Sequence, residues 1–139
     1  MNIENINDTN YTNLPTYKDF LDKNKGLGYL MIRASAASGA IPISNLKIII
    51  SKVIDNEKVI FFEGTTDDSG MIERISLPAP TQDENNLDIP KYATYVIEAL
   101  LPSQNISNRY EVNIYNGLTT SQMIIITPRE PLRGGYYGY

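Results

Sequence analysis

The chain has 139 residues, a formal charge of −4, and no cysteine, histidine or tryptophan. Without cysteine or histidine it has no disulfide, no thiolate or imidazole metal ligand, and no Ser-His-Asp or Cys-His catalytic pair. The length suits one domain with a real core, and an acidic balance with no basic cluster interleaved with aromatics argues against nucleic acid as a partner.

Residues 1–27 read as a polar arm that carries Asn2, Asn5, Asn7, Asn10, Asn13 and Asn24. Its start has neither the basic nor the apolar stretch of a secretion signal, and no apolar run nears the ~20 residues that span a bilayer. Synthesis in the cytosol without membrane insertion is the expectation, with lysis, spore release or a dedicated machine as exit routes. Within the arm, Thr16 to Lys25 predicts a short helix with Thr16 as N-cap and Asp19 three residues later. Tyr17, Phe20 and Leu21 then share one face at i, i+3, i+4 spacing. That face either docks on the chain itself or packs on a neighbouring subunit.

Residues 28–127 read as seven short strands joined by turns. Leu30, Ile32 and Ala34 alternate with Tyr29, Met31 and Arg33, the period of a strand with one face inward. Ser38-Gly39 and Pro42 punctuate the way to a second strand with Leu46, Ile48 and Ile50 on one side. Lys58 to Thr66 makes a third strand and Met71 to Leu77 a fourth. Between them Asp67-Asp68-Ser69-Gly70 is a turn, with side chains that cap their own backbone and a glycine free to take positive φ. Pro78, Pro80 and Pro90 bracket a long loop. Tyr92 to Leu101, Arg109 to Tyr115 and Gln122 to Thr127 complete the set, with Asn116-Gly117 a strong turn signal before the last. Residues 128–139 form a low-complexity Tyr/Gly tail that cannot bury much on its own.

Three runs are continuously apolar rather than alternating: Ile48-Ile49-Ile50, Val59-Ile60-Phe61-Phe62 and Met123-Ile124-Ile125-Ile126. If Ile48, Ile50, Ile124 and Ile126 fill the core, Ile49 and Ile125 point the other way, as must either Ile60 and Phe62 or Val59 and Phe61. An antiparallel sandwich in water shows polar outer faces, so something covers the second face: the arm, the tail or a partner subunit.

The residues offer little chemistry. Glu63 and Glu73 would face each other across a hairpin as an acid and base pair, or simply serve solubility. Asp67 and Asp68, or Asp83, Glu84 and Asp88 in the long loop, present hard oxygen ligands for calcium without matching an EF-hand, and both groups are equally explained as turn and solvated loop. No catalytic residue, metal site or cofactor is expected.

Gly28-Tyr29-Leu30, Ala40-Ile41-Pro42-Ile43, Thr66-Asp67 with Gly70, Leu77-Pro78, and Tyr92 followed by Tyr95 fall in an order that resembles the carboxypeptidase regulatory-like, transthyretin-like (prealbumin-like) sandwiches, especially those of clostridial spore and peptidoglycan-associated proteins. The resemblance covers residues 28–127 and implies an all-β, seven-stranded Greek-key sandwich that serves as a non-catalytic spacer or interaction module. Pilin-type relatives cross-link a lysine to an asparagine beside a buried acid, for which Glu98 and Asn113 are conceivable partners. The first-strand position of that lysine carries Arg33, whose guanidinium stays protonated, so no cross-link is expected.

Together these readings lead to a structural or assembly subunit of a bacterial spore layer, fibre or phage-tail-like particle. Its partners would be proteins, itself or other subunits. Contacts would run through Tyr17, Phe20 and Leu21 of the arm, Ile49 and Ile125 of the outer faces, and Tyr136, Tyr137 and Tyr139 of the tail. The alternative is a glycan- or peptidoglycan-binding module reading its ligand with exposed Tyr92, Tyr95, Tyr110 or Tyr115.

Overall fold

The computed structural model describes residues 15–82, 90–101 and 106–126. A helix, α1 (Pro15–Lys23), leads into β1 (Gly26–Ala36), a single 3-10 turn (Ala37–Gly39) and the two-residue β2 (Ile41–Pro42). Six long strands follow: β3 (Lys47–Ile54), β4 (Glu57–Thr65), β5 (Met71–Ala79), β6 (Tyr92–Leu101), β7 (Ile106–Tyr115) and β8 (Thr119–Ile126). They form an all-β Greek-key sandwich. In one sheet β1 lies between β8, its parallel partner, and the antiparallel β5 and β2. The other sheet runs β4-β3-β6-β7, antiparallel throughout.

The core is what strand periodicity demands. Leu30, Ile32 and Ala34 of β1, Ile48 and Ile50 of β3, Tyr95 and Ile97 of β6, Ile114 of β7 and Ile124 of β8 are all buried between the sheets. Tyr95 ties the two sheets together, because its hydroxyl donates to the Pro78 carbonyl of β5. At the other end β1 crosses so close to the Asn116-Gly117 turn that a Cβ on Gly28 would overlap the Tyr115 carbonyl. The turn is bound there by two hydrogen bonds, Gly117 N–H to Leu27 O at 2.7 Å and Leu27 N–H to Asn116 Oδ1 at 3.0 Å.

Strict alternation fails in β4, and the failure is informative. Ile50 faces Phe62 while the next residue, Ser51, faces Ile60, so Phe61 is an extra residue in a β-bulge. The bulge lets Val59, Phe61 and Phe62 all pack toward the core. The expectation that two alternating residues of this run face outward is therefore corrected: Ile60 alone does.

The same bulge makes the seat for α1. Tyr17 and Phe20 lie against the Phe61 ring at centroid distances of 5.9 and 5.6 Å, and Phe61 in turn meets Tyr95 edge-on at 5.2 Å. Burying an aromatic side chain of this kind contributes about 1.5–3 kcal/mol. The helix begins at Pro15, so Thr16 lies inside it rather than at its N-cap, and the proline occupies the one turn where its missing N–H is harmless. Asn24 closes it, with the side-chain amide donating to Phe20 O at 2.8 Å and the backbone N–H to Leu21 O at 3.1 Å.

The Asp67–Gly70 turn has the local chemistry expected. Asp67 Oδ1 accepts from the N–H groups of Ser69 and Met71 at 2.8 and 2.9 Å, and Gly70 takes φ +78°. Yet β4 and β5 belong to different sheets, so the turn is a corner rather than a hairpin. Thr66 anchors that corner. Its buried hydroxyl donates to Ile43 O and accepts from Leu46 N–H, stitching the β2–β3 connection to the start of the turn.

Candidate interaction surfaces

Placing the expected site residues on this frame separates them sharply. Tyr17 and Phe20 are buried, and Leu21 packs beside them against the core. They serve the chain's own interior and are not free to carry a contact, because Phe61 gives them a closer apolar partner. Ile49 and Ile125 do point outward, on opposite faces of the sandwich. Tyr136, Tyr137 and Tyr139 lie outside the described residues, as do Asp83, Glu84 and Asp88.

The outer face of the β4-β3-β6-β7 sheet carries a group of ion pairs at its middle, while Val53 (64% exposed) and Tyr92 (49%) stay open toward one end. Lys47 pairs with Glu63 at 3.1 Å, and Glu98 holds both Lys58 at 2.8 Å and Arg109 at 3.4 Å. Ile49 stands directly opposite Glu63 and Glu98 on the neighbouring strands, and Ile49, Ile60 and Val96 are half-buried. Ile49 is thus half-buried among charged cross-strand neighbours.

The outer face of the β5-β1-β8 sheet is different. Leu27, Tyr29, Met31 and Arg33 of β1 stand in register with Thr119, Ser121, Met123 and Ile125 of β8 or beside them. Arg74 stacks on the Tyr29 ring, 4.0 Å from its centroid. The apolar residues are left open: Leu27 is 46% exposed, Met123 48% and Ile125 37%. Sequence reasoning found Ile125 and missed Met123 and Leu27, although strand parity with Ile125 and Tyr29 was available as the signal.

No catalytic constellation forms from the groups singled out. Glu63 is paired to Lys47 on one sheet while Glu73 is exposed on the other, so they do not face each other, since the corner at Asp67–Gly70 sends their strands apart. Glu98 is held by two cations and Asn113 accepts from the Thr94 hydroxyl at 2.8 Å. Among the described residues no three acidic side chains gather as metal ligands. Asp67, the best of the calcium candidates, gives one carboxylate oxygen to its own turn.

Two further features have chemistry of their own. Lys52 reaches under α1, donates to Thr94 O at 2.8 Å and places its amine 5.6 Å from the centroids of both Phe20 and Tyr95. Burial lowers its pKa, while burial and then the neighbouring Tyr17 raise that of Tyr95. An open cleft of about 430 Å³ beside it is lined by Asp19, Phe20, Lys23, Lys52, Val53 and Asp55. On the outer face of β1, the buried Ser35 hydroxyl has no hydrogen-bond partner among the described residues and borders a hollow of about 150 Å³ next to Arg33, Gly39 and Ser69. That is room enough for the ordered water such a hydroxyl requires.

The tyrosines proposed as sugar readers also divide. Tyr95 is buried and Tyr110 packs against the core, so neither is presented to a ligand. Tyr92 and Tyr115 remain, their rings tilted at 5.4 Å on the outer end of β6 and β7.

No family model matches the chain, and no curated protein does. Solved structures resemble the chain at low identity. The TIE protein of Bacillus anthracis superposes with a TM-score of 0.49 at 14% identity over 73% of this chain and 16% of its own. GBS52, the minor pilin of Streptococcus agalactiae, gives 0.48 at 17% identity over 76% of this chain and 48% of its own. Transthyretin from Sparus aurata gives 0.40 at 15% identity over 71% of this chain and 90% of its own. The chain thus spans a small part of the first protein and about half of the second.

Proposed function

We propose that this chain is a non-enzymatic structural or assembly subunit that acts through protein–protein contacts, within a bacterial supramolecular structure such as a spore-surface layer, a fibre or a phage-tail-like particle. The observation that carries this reading is the apolar stripe of Leu27, Met123 and Ile125, exposed beside the half-buried Met31 on one outer face, where the middle of the other face carries three ion pairs. A domain acting alone in water has no use for that asymmetry, whereas a subunit does. The arm does not share the task in the way its sequence suggests, because Tyr17 and Phe20 belong to the core.

Light scattering of the full chain on a sizing column, with negative-stain imaging of the peak, tests the reading. Defined oligomers or fibres support it, and a monomer at every concentration up to about a millimolar, where contacts worth less than ~4 kcal/mol are lost, overturns its self-assembling form. A second reading, a glycan-binding accessory module, rests on the exposed Tyr92 ring and the half-buried Tyr115 beside it. Retention on cell-wall sacculi, lost on Tyr92→Ala, would favour it over assembly.

A further inference from the structure

Among the described residues the two sheets have four long edge strands, besides the two-residue β2 with its Pro42, and they are not alike. β4 carries Glu57, Lys58 and Glu63, and β7 carries Arg109 and Glu111. β5 carries Glu73, Arg74 and Pro78. Charges and proline of this kind are the usual guards against strand-to-strand addition. β8 has none of them. Its sequence, Thr-Thr-Ser-Gln-Met-Ile-Ile-Ile, is uncharged and free of proline and glycine over eight residues. Its ladder partner among the described residues is β1, on one side. The Met123 carbonyl accepts at 2.8 Å from the side chain of Gln122, a neighbour on the same strand rather than a residue of a further strand. The exposed Met123 and Ile125 side chains line the same edge.

We infer that the edge of β8 left unpaired among the described residues pairs with the β8 of a second copy of this chain, antiparallel about a two-fold axis, joining the β5-β1-β8 sheets of two subunits into one. The inference rests on the assembly reading above and names its interface. The partner follows from charge. A charged edge placed against β8 would lose hydration without gaining a counter-charge, and β8 itself is the long edge strand without charge or proline. Parity then limits the register. Outward residues must meet outward residues, and the pairing that gathers the apolar ones sets Met123 opposite Met123 and Ser121 opposite Ile125. The stripes of the two subunits then run together across the joint.

The absence of cysteine makes the test clean, because Met123→Cys supplies one thiol per chain. Opposed residues of an antiparallel pair have Cα atoms about 4.5–5.5 Å apart, within disulfide range. Mild oxidation of the full-length Met123→Cys protein should give a covalent dimer, whereas Glu111→Cys on the β7 edge should stay monomeric on a non-reducing gel. Met123→Lys, its folding checked by circular dichroism, should weaken the dimer about tenfold or more, since two lysines would then face each other at the axis. If oligomers form but Met123→Lys leaves them intact and Met123→Cys does not cross-link, the β8 interface is wrong and the assembly reading survives. If the unaltered chain is monomeric throughout, the β8 interface and the self-assembling form of the reading both fall.

Discussion

The two outer faces of this sandwich are built from the same strand alternation and end in opposite states. On the β4-β3-β6-β7 face, the half-buried Ile49 is flanked by Lys47–Glu63 and the Lys58–Glu98–Arg109 cluster, and the open residues, Val53 and Tyr92, stand toward one end. On the β5-β1-β8 face, Met123 and Ile125 stand exposed beside a single Arg74–Tyr29 stack. Outward apolar residues are therefore not evidence of an interface by themselves. What decides is whether long charged side chains from neighbouring strands can reach across them, and β8, uncharged and at an edge, has none to offer.

Substitutions can break or sharpen this contrast. The largest effect lies in the interior that both faces share. Phe61→Ala should lower stability by about 3–5 kcal/mol in urea unfolding, because Tyr17, Phe20 and Tyr95 all lose their ring partner at once. A loss no larger than that of an outer-face change would mean that α1 is not seated as described.

Tyr95→Phe should cost about 1–3 kcal/mol by stranding the Pro78 carbonyl, and it should alter the alkaline limb of stability. The folded pKa of Tyr95 lies above its ordinary value near 10, so the folded chain keeps a proton that the unfolded chain gives up. Its contribution is complete below pH 10 and is lost as pH rises beyond it, and Tyr17 acts in the same sense. Lys52 acts oppositely. Its folded pKa is lowered, so the unfolded chain holds the extra proton and stability climbs as pH approaches 10.5. Unfolding midpoints between pH 8 and 11 should rise and then fall, with a shallower fall in Tyr95→Phe.

The contrast itself is read by one change made twice. Ile49→Ser should cost about 1–2 kcal/mol, because it empties space beside the ion pairs, while Ile125→Ser should stay within about 0.5 kcal/mol. Equal losses would erase the difference between the faces. Glu98→Ala should be as small as the Ile125 change, about 0.5 kcal/mol at low salt and less in molar salt, since its two cations remain half-exposed.

Much of this was legible in the chain. Leu30, Ile32 and Ala34 marked the core side of β1 by period alone, and Asp67 with Gly70 announced a turn that forms as its side chains dictate. The destination of that turn was not legible. The same cap serves a hairpin within one sheet and a corner between two, and the choice is made by Thr66 bonding to Ile43 and Leu46, residues about twenty positions away. The Phe61–Phe62 pair was opaque for a related reason. A bulge changes the phase of alternation at one point, and no window of sequence contains the partner strand that sets the phase. The site was legible only in part: Ile125 followed from parity, but which outward isoleucine is flanked by charge depends on the partner strands.

The parallel ladder of β1 and β8 has a mechanical consequence. Its eight paired positions run from Tyr29–Thr119 to Ala36–Ile126, so a pull applied at the start of β1 and the end of β8 slides the strands past each other. Every rung of such evenly spaced bonds is strained together, where a hairpin pulled from its open end would yield one bond at a time. Once α1 has peeled away, tension passed along the chain meets the sandwich in the direction in which it resists most.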